Sequence, residues 1–221
     1  WLRVYEIPMA SKVSRGRSIA SLLQLEENER ITEAIPVESF STDGYIVLAT
    51  RMGSIVKTPI RAFSNPRRGG IKAVNLRGDS LVAARLTDGS RELIVATKKG
   101  KAIRFHERDV RASGRGSMGV KAINLSEGDE LISMDVVKEG ETLFTITTQG
   151  YGKRTDLSEY PLQRRGGKGV KNIDTRRGDV VAAITVSEDD GLLVTTKEGV
   201  MIRIAASDVR VQGRATQGVK I

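Results

Sequence analysis

The sequence predicts an all-β protein built from a repeated four-stranded antiparallel unit of about 50 residues. Strand-turn-strand segments recur with turn glycines Gly53, Gly100, Gly150 and Gly199, at steps of 47, 50 and 49 residues. A loop rich in glycine and cations follows each segment, and an acidic Gly-Asp turn begins at residues 78, 128 and 178. Because three separate features share one period, we interpret the chain as a propeller-like array of blades.

Each period accommodates four short strands. Such strands are rich in Val, Ile, Leu and Thr and are bounded by Gly, Asp or Asn. In the second period we expect them at residues 71–76, 81–86, 93–97 and 102–105. The hairpin turns end in a glycine that takes a positive φ.

No long amphipathic helix is predicted. Residues 108–113 fit a single helical turn. Residues 22–30 could form a short helix, but their position in the repeat favours a strand followed by an acidic turn.

The repeats are expected to form one domain over residues 1–221, with about four and a half blades. Residues 1–17 are interpreted as the end of a first, partial blade. The chain starts at Trp1 without a Met, so we expect a piece of a longer protein. Neighbouring blades must stack, because a single four-stranded sheet cannot bury both faces.

Composition narrows the classes of function. The net charge of +9 favours a polyanionic partner. The absence of cysteine excludes disulfides and thiolate metal sites. An aromatic content of 4% argues against a single-strand binder that stacks bases. No apolar run reaches the length of a membrane span.

The positive charge is confined to one phase of the repeat. The segments 11–17, 65–72, 111–121, 163–171 and 210–220 hold 16 of the 36 cations and no Asp or Glu. The remaining 20 cations are outnumbered by the 27 anions. In stacked blades one phase of the repeat maps to one edge, so we predict a basic stripe along that edge.

A stripe that recurs once per blade suits double-stranded DNA. Loops of this composition offer backbone N–H groups and cations to phosphate, but few side chains that read bases. We therefore expect contacts that position DNA without specifying sequence. Outside the stretch 163–169, the predicted stripe cations are Lys12, Arg15, Arg17, Lys57, Arg67, Arg68, Lys72, Arg104, Arg111, Arg115, Lys121, Arg154, Lys171, Arg203, Arg210, Arg214 and Lys220. Four of these, Lys57, Arg104, Arg154 and Arg203, stand four residues after a turn glycine; we favour a place in the stripe over a role in keeping sheet edges soluble.

Several sequence segments resemble those of a known family. WLRVYEIP, GYGKRT, GKAIRF, GRGSMGVKAINL, GRATQGVK and above all QRRGGKG are similar to the C-terminal domain of the A subunit of bacterial DNA gyrase. The resemblance covers essentially the whole chain. It implies a β-pinwheel with strands exchanged between blades, and we expect six blades in the full domain. It also implies that DNA wraps around the basic outer edge, which enables negative supercoiling.

The heptapeptide resembles the gyrase A box, which the family needs for wrapping. Its residues are Gln163, Arg164, Arg165, Gly166, Gly167, Lys168 and Gly169. In the family the box usually lies in the first blade, whereas here it lies in the fourth of five basic loops. Either this copy is a second one, or the position of the box differs in this chain.

The resemblance implies partners as well as DNA. These are the rest of the gyrase A subunit, which forms a homodimer, and the gyrase B subunit, within an ATP-dependent type II topoisomerase of the bacterial cytoplasm. The fragment itself is expected to carry no catalytic residue and no cofactor, and to contact no membrane. Two alternatives stay open: the topoisomerase IV counterpart, which binds DNA without strong wrapping, and a propeller scaffold for acidic proteins.

Other signals favour structural roles. The stretch around Lys168 lacks the P-loop pattern, since Leu162 and Gly169 stand where a Gly and a Ser or Thr are required. His106 is the only histidine and has no Cys or second His with which to bind a metal. Tyr160 is interpreted as a packing residue or a DNA-edge contact, and not as a nucleophile.

Overall fold

The computed structural model describes residues 1–11, 13–23, 25–40, 43–65, 67 and 69–221. Within these ranges the chain forms β-strands and single-turn 3-10 helices, and no α-helix. The strands are β1 (Tyr45–Thr50), β2 (Ser54–Pro59), β3 (Leu81–Thr87), β4 (Glu92–Thr97), β5 (Lys101–His106), β6 (Val120–Lys121), β7 (Leu131–Val137), β8 (Thr142–Thr147), β9 (Tyr151–Asp156), β10 (Val170–Lys171), β11 (Val180–Val186), β12 (Gly191–Thr195), β13 (Met201–Ala205) and β14 (Val219–Lys220). The 3-10 helices are Val4–Glu6, Ile19–Leu22, Ile60–Phe63, Glu107–Asp109, Leu157–Glu159, Thr175–Arg177 and Ala206–Asp208.

The strands form three four-stranded sheets and one two-stranded sheet. Sheet I has the order β3-β1-β2-β6, sheet II the order β7-β4-β5-β10 and sheet III the order β11-β8-β9-β14. Strands β12 and β13 pair with each other. The ladders between the named strands are antiparallel. The prediction of an all-β fold with four-stranded antiparallel blades is therefore confirmed.

Each four-stranded sheet takes its last strand from the next repeat. In sheet I, β1 and β2 form a hairpin and β3 pairs with β1. Strand β6 follows the hairpin of sheet II in the chain, yet it pairs with β2 at Ser54 and Ile55. Strands β10 and β14 join sheets II and III in the same way. Neighbouring sheets are thus linked by exchanged strands, so a sheet is complete only when the next repeat folds with it.

The sheets meet at their inner strands. Strand β7 lies against both β3 and β11, which are the edge strands of sheets I and III. Asp135 connects all three, since Arg85 Nε donates to its Oδ1 at 2.9 Å and Thr185 N donates to its Oδ2 at 3.0 Å. The short strands β6, β10 and β14 occupy the opposite edges. They therefore mark the outer side of the array.

The hairpin turns follow one design. The turns of β1–β2, β4–β5 and β8–β9 have three residues and end in the predicted glycine with a φ between +72° and +82°, which is typical of a turn closed by a glycine bulge. The five-residue connection of β12–β13 contains Gly199 with a φ of +83°. The threonine before each turn accepts a bond from the N–H four residues later, as Thr97 Oγ1 does from Lys101 N at 3.2 Å. A Cβ on Gly100 would lie 2.6 Å from the Ile173 carbonyl oxygen, so a side chain there would also clash with the next repeat.

The hydrophobic core lies between successive sheets. One cluster joins sheets I and II through fully buried side chains such as Ile55, Val95, Phe105 and Met134. A second cluster joins sheets II and III, and a third joins sheet III to the β12–β13 hairpin. Because the central strands β1 and β4 are buried on both faces, they appear as continuous apolar runs rather than alternating ones.

Two expectations about early strands are wrong. The described part of residues 1–43 contains no strand, either in the expected partial blade at 1–17 or within 22–30, and it packs through side chains such as Trp1 against Phe40. Of residues 71–76 only Val74 forms a bridge, parallel to Ser117. In later repeats, the residues equivalent to 71–72 pair with the second strand of the preceding sheet. Residues 71–72 have no such partner strand, because the described residues before Tyr45 form no strand.

The structure forms three complete blades and one hairpin in its described residues, compared with the four and a half blades expected over the whole chain. The predicted helical turn near 108–113 is present as Glu107–Asp109. No helix of the described residues is long and apolar enough to cross a membrane.

Candidate nucleic-acid interface

The basic loops run along the outer side of the array. Each of the loops 111–121, 163–171 and 210–220 begins after the hairpin of one sheet and ends in a short strand on the sheet before it. Every loop therefore spans the gap between two neighbouring blades. This geometry follows from the strand exchange, since the short strand must reach the preceding sheet.

A glycine makes this crossing possible. Gly119, Gly169 and Gly218 precede the short strands and have φ values of +78°, +65° and +79°. A Cβ on Gly218 would lie 2.5 Å from the carbonyl oxygen of Gly152, and a Cβ on Gly169 would clash with that of Ala102. The Gly-Val-Lys phrase thus recurs because only glycine has the backbone freedom and the small size required there.

The loops are also bonded to one another. In three successive gaps, a main-chain N–H just after one basic loop donates to a carbonyl in the middle of the next loop. The donor and acceptor pairs are Asn75 with Ser117 at 2.9 Å, Asn124 with Gly167 at 2.8 Å and Asp174 with Thr216 at 3.0 Å. The basic segments from residue 72 to residue 220 consequently form a continuous ladder along the outer edge.

Two loop arginines take part in this ladder. Arg165 Nη1 donates to the carbonyl of Lys121 at 3.1 Å, and Arg214 Nη1 donates to the carbonyl of Lys171 at 3.0 Å. Both side chains are half-buried. They connect adjacent loops, and so a part of their function is structural.

The other loop cations face solvent. The exposed members of the predicted set are Arg15, Arg17, Arg67, Lys72, Arg111, Arg115, Lys121, Arg164, Lys168, Lys171, Arg203, Arg210 and Lys220. Lys12 and Arg68 lie outside the described residues. Within the heptapeptide, Arg164 and Lys168 are exposed, whereas Gln163 and the three glycines are half-buried. The loop 163–171 is more cationic than the loops 111–121 and 210–220, because the equivalents of these two residues are uncharged there: Gly114 and Met118 in the first, Gly213 and Gln217 in the second.

The lysines that end the loops 65–72, 111–121 and 163–171 each have a partner three residues later. Lys72 and Lys121 donate to Asn75 and Asn124, at 3.4 Å and 3.3 Å. In the loop 163–171 the partner is a carboxylate, and Lys171 Nζ lies 2.9 Å from Asp174 Oδ2. The hydrogen bonds from Lys171 and from Arg176 hold the pKa of Asp174 far below its usual value.

The cations that follow the hairpin turns are mostly not part of an exposed stripe. Lys57 and Arg154 are buried, with 6% and 3% exposure, and Arg104 is half-buried. Each side chain instead donates to a carbonyl in or just after the next repeat's 3-10 turn: Lys57 to Glu107 at 2.8 Å, Arg104 to Leu157 at 2.8 Å and Arg154 to Val209 at 2.9 Å. The prediction of an exposed stripe is wrong for the buried Lys57 and Arg154, because the backbone carbonyls left free by the turn require buried donors. For the half-buried Arg104 it stays a prediction. Arg203 is exposed on β13.

One buried cation was missed by sequence reasoning. Lys153 on β9 has 0% exposure, and its Nζ donates to the Gly213 carbonyl at 2.6 Å. Burial is the main reason that the pKa of this amine is lowered to about 8; Glu159 opposes the change, and nearby Arg214 and Lys171 contribute to it. The sequence contained a signal for this residue, because the other hairpins carry an aliphatic side chain at the same position: Val56, Ile103 and Ile202.

The remaining candidates are structural. Tyr160 is buried and its hydroxyl bonds to Asn172, which confirms a packing role, and burial holds its pKa well above the usual value. His106 lies 3.7 Å from the Glu92 carboxylate. In the described ranges no group of three or more His, Cys, Asp or Glu side chains could hold a metal ion. The expectation that no cofactor binds stays a prediction.

The family model described as "DNA gyrase C-terminal domain, beta-propeller" matches residues 1–38, 44–88, 91–138, 141–188 and 192–221. The chain belongs to this family. It is 53% identical over 223 residues to the A subunit of DNA gyrase from Halalkalibacterium halodurans, covering 100% of this chain and 27% of that protein. It is 42% identical over 222 residues to the A subunit of DNA gyrase from Klebsiella oxytoca, covering 99% and 25%. The chain spans about a quarter of the length of these relatives.

Two solved structures share the fold. The C-terminal domain of DNA topoisomerase IV superposes with a TM-score of 0.90 at 28% identity, covering 99% of this chain and 69% of that one. The DNA gyrase A C-terminal domain superposes with a TM-score of 0.84 at 31% identity, covering 100% and 73%. These matches confirm that the strand-exchanged sheets are those of a gyrase-type β-pinwheel.

Proposed function

We propose that this gyrase-type domain binds and wraps double-stranded DNA along its outer edge, without sequence specificity. The observation that carries the proposal is the ladder of basic loops, which are hydrogen-bonded from one blade to the next. A ladder of this kind presents cations at regular intervals along the outer edge of the blades. Such spacing suits a long polyanion and not a small ligand.

The chemistry of the loops favours duplex DNA over a single strand. The loops 111–121, 163–171 and 210–220 contain no aromatic residue on which unpaired bases could stack. Their exposed groups are Arg and Lys side chains, which bind phosphate through charge-assisted hydrogen bonds. Phosphate contacts fix the position of DNA but carry no base information.

Wrapping follows from the position of the loops. Because the loops lie on the outer strands of stacked blades, a duplex that contacts several of them must bend. Bending a site of 20–30 base pairs costs roughly 1–6 kcal/mol. Contacts from three or more loops, each neutralising one or two phosphates, can offset this cost.

In the whole protein we propose that the domain acts within the A subunit of DNA gyrase. The name of the relatives supports this assignment, and the domain would then work with the rest of a homodimeric A subunit, together with the gyrase B subunit. The ATP-dependent type II topoisomerase would use the wrapped DNA for negative supercoiling in the bacterial cytoplasm. The strand-passage chemistry would belong to other domains.

A second candidate is the topoisomerase IV counterpart, which binds DNA without strong wrapping. The superposition on a topoisomerase IV domain favours it, while the names of the relatives and the heptapeptide favour gyrase. The two candidates differ in one measurable property. Only a wrapping domain changes the linking number of closed-circular DNA in a fixed direction.

The test is therefore topological. The chain is incubated with relaxed closed-circular DNA, a type I topoisomerase relaxes the complex again, and the linking change is counted. The variant Arg164→Ala/Lys168→Ala removes exposed charge from the loop 163–171 without changing the inter-loop bonds of Arg165. The control Arg91→Ala/Lys138→Ala removes two exposed cations from connections that leave the inner strands β3 and β7.

We expect a linking change of constant sign that shrinks in the loop variant and persists in the control. Binding without a linking change would favour the topoisomerase IV candidate. The absence of binding, or an equal loss in both variants, would contradict the proposal.

A further inference from the structure

A peptide clamp with one buried member, Lys153, lies behind the last basic loop. The carbonyl of Gly213 accepts a hydrogen bond from Lys153 Nζ at 2.6 Å, and the next N–H, that of Arg214, donates to Glu159 Oε2 at 3.0 Å. These two groups belong to one peptide unit. Lys153 and Glu159 therefore hold both ends of the peptide that joins Gly213 to Arg214.

Strand β9 binds this loop more extensively than β2 and β5 bind theirs. Three consecutive side chains donate to it: Lys153 to Gly213, Arg154 to Val209 at 2.9 Å, and Thr155 to Gln212 at 2.9 Å. At the position of Lys153 the other hairpins carry Val56, Ile103 and Ile202. Those aliphatic side chains cannot donate a hydrogen bond.

The lysine carries an energetic cost that an aliphatic residue would avoid. A buried ammonium loses its hydration, and one hydrogen bond to a carbonyl replaces only part of it. Three repeats show that an aliphatic residue fits this position. A buried charge at a position that is otherwise aliphatic is unfavourable for folding, and residues of this kind are expected at functional sites.

We propose that Lys153 is a positioning residue for DNA binding by the loop 210–220. Its ammonium fixes the Gly213–Arg214 peptide and places a positive charge directly behind a loop whose Arg210 and Lys220 face solvent. The proposal rests on the proposed DNA binding and adds a buried residue that never touches DNA.

The charge of Lys153 makes this loop sensitive to pH. Burial lowers the pKa of the Lys153 amine to about 8. The charged groups that act on it are Glu159 from the 3-10 turn, Arg214 from the loop and Lys171 from β10, and the buried Tyr160 hydroxyl lies beyond them, bonded to Asn172. DNA phosphates near the loop would favour the charged form, so binding would take up a proton above pH 8. Affinity should then fall as pH rises through this range.

The experiment compares duplex affinity in the unmodified chain and in three variants. The dissociation constant for a linear DNA duplex is measured by fluorescence anisotropy from about pH 7 to about pH 9.5. Two variants change the clamp: Lys153→Ile, which installs the residue found at positions 103 and 202, and Glu159→Gln. An exposed-lysine variant, Lys138→Ala, serves as the matched control for simple loss of charge.

We expect the unmodified chain to lose affinity by about three- to tenfold across this range, since one unit of pKa change corresponds to tenfold. Lys153→Ile should bind more weakly at neutral pH and show a flat profile. Its salt slope should be unchanged, because no phosphate contact is lost. Glu159→Gln should move the midpoint to lower pH, since Glu159 favours the charged amine.

Identical pH profiles in the unmodified chain and in Lys153→Ile would overturn the inference, as would wild-type affinity of Lys153→Ile at neutral pH. If Lys153→Ile failed to fold, the midpoint of Glu159→Gln would still decide, since an unmoved midpoint contradicts a role for Lys153. A failure of the unmodified chain to bind duplex DNA would instead reject the proposed function itself.

Discussion

The guanidinium of Arg165 donates to the carbonyl of Lys121 at 3.1 Å and to that of Asp109 at 2.8 Å, and it thereby joins its loop to the preceding repeat. Its neighbour Arg164 is exposed. Two adjacent arginines of one heptapeptide therefore have different tasks. One orders the ladder of loops, and the other is available to phosphate.

Arg164→Ala and Arg165→Ala should consequently affect different properties: the first DNA binding, the second stability. Loss of Arg165 removes two hydrogen bonds from a charged group and should lower the free energy of unfolding by about 1–3 kcal/mol. Loss of exposed Arg164 should stay within about 0.5 kcal/mol but reduce the salt slope of DNA binding by about 0.9. Urea denaturation and binding isotherms at several salt concentrations measure the two quantities. Equal effects of the two changes on both would show that the division of tasks does not exist.

Gly169→Ala should destabilise the fold. Gly169 has a φ of +65°, and a Cβ there would clash with the Ala102 carbonyl oxygen in the neighbouring sheet. We expect a loss of about 2–5 kcal/mol, since a left-handed alanine costs roughly 1–2 kcal/mol and overpacking adds about 1–3 kcal/mol. The matched control is Gly114→Ala, because a Cβ at Gly114 would meet nothing within 4 Å. Denaturant midpoints of the two variants should differ clearly, and similar midpoints would argue against a close inter-blade approach at Gly169.

Arg154→Ala should destabilise far more than Arg203→Ala. The two residues occupy the same position in successive repeats, but Arg154 is buried and donates to Val209, whereas Arg203 is exposed on β13. Removing the buried side chain leaves a cavity and an unpaired carbonyl, so we expect about 2–5 kcal/mol. Arg203→Ala should change stability by less than about 0.5 kcal/mol. Thermal unfolding followed by circular dichroism makes the comparison, and a larger loss at Arg203 would be incompatible with the buried inter-blade bond.

Lys153 should make stability depend on pH. Its folded-state pKa of about 8 is below the ordinary lysine value of 10.5, so between these values the unfolded chain binds more protons. Stability therefore rises as pH increases from about 8 to about 10.5. The Lys153→Ile variant should lack this rise and be more stable below pH 8, by on the order of 2 kcal/mol. A variant that melts lower than the unmodified chain at neutral pH would show that the amine stabilises the fold.

The repeat was readable from the sequence because its landmarks are local. The turn glycines, the Gly-Val-Lys phrases and the Gly-Asp turns each reflect a backbone requirement that glycine or aspartate satisfies on the spot. Gly100 ends a three-residue turn, and Asp129 Oδ1 accepts the N–H of Lys99 in that turn at 2.9 Å. Requirements of this kind leave a fixed residue at a fixed spacing.

The role of an individual cation could not be predicted from the sequence in the same way. Lys57, Arg104 and Arg154 stand at regular positions, four residues after a turn glycine, and charge alone suggested a surface stripe. Their actual partners are carbonyls about 50 to 55 residues further along the chain. A sequence shows that a cation is present, but it does not show whether the carbonyl of the next blade lies within reach.

The sequence by itself determined the all-β class, the period of the blades, the hairpin turns and the confinement of charge to one phase, because each depends on local backbone chemistry and composition. Only the tertiary structure decided which basic residues face solvent and which, such as Arg165 and Lys153, bind the main chain of another repeat. The physical reason is the strand exchange between blades. It brings each loop against a sheet that is distant in sequence, and the burial and hydrogen bonds created there depend on packing that no single repeat contains.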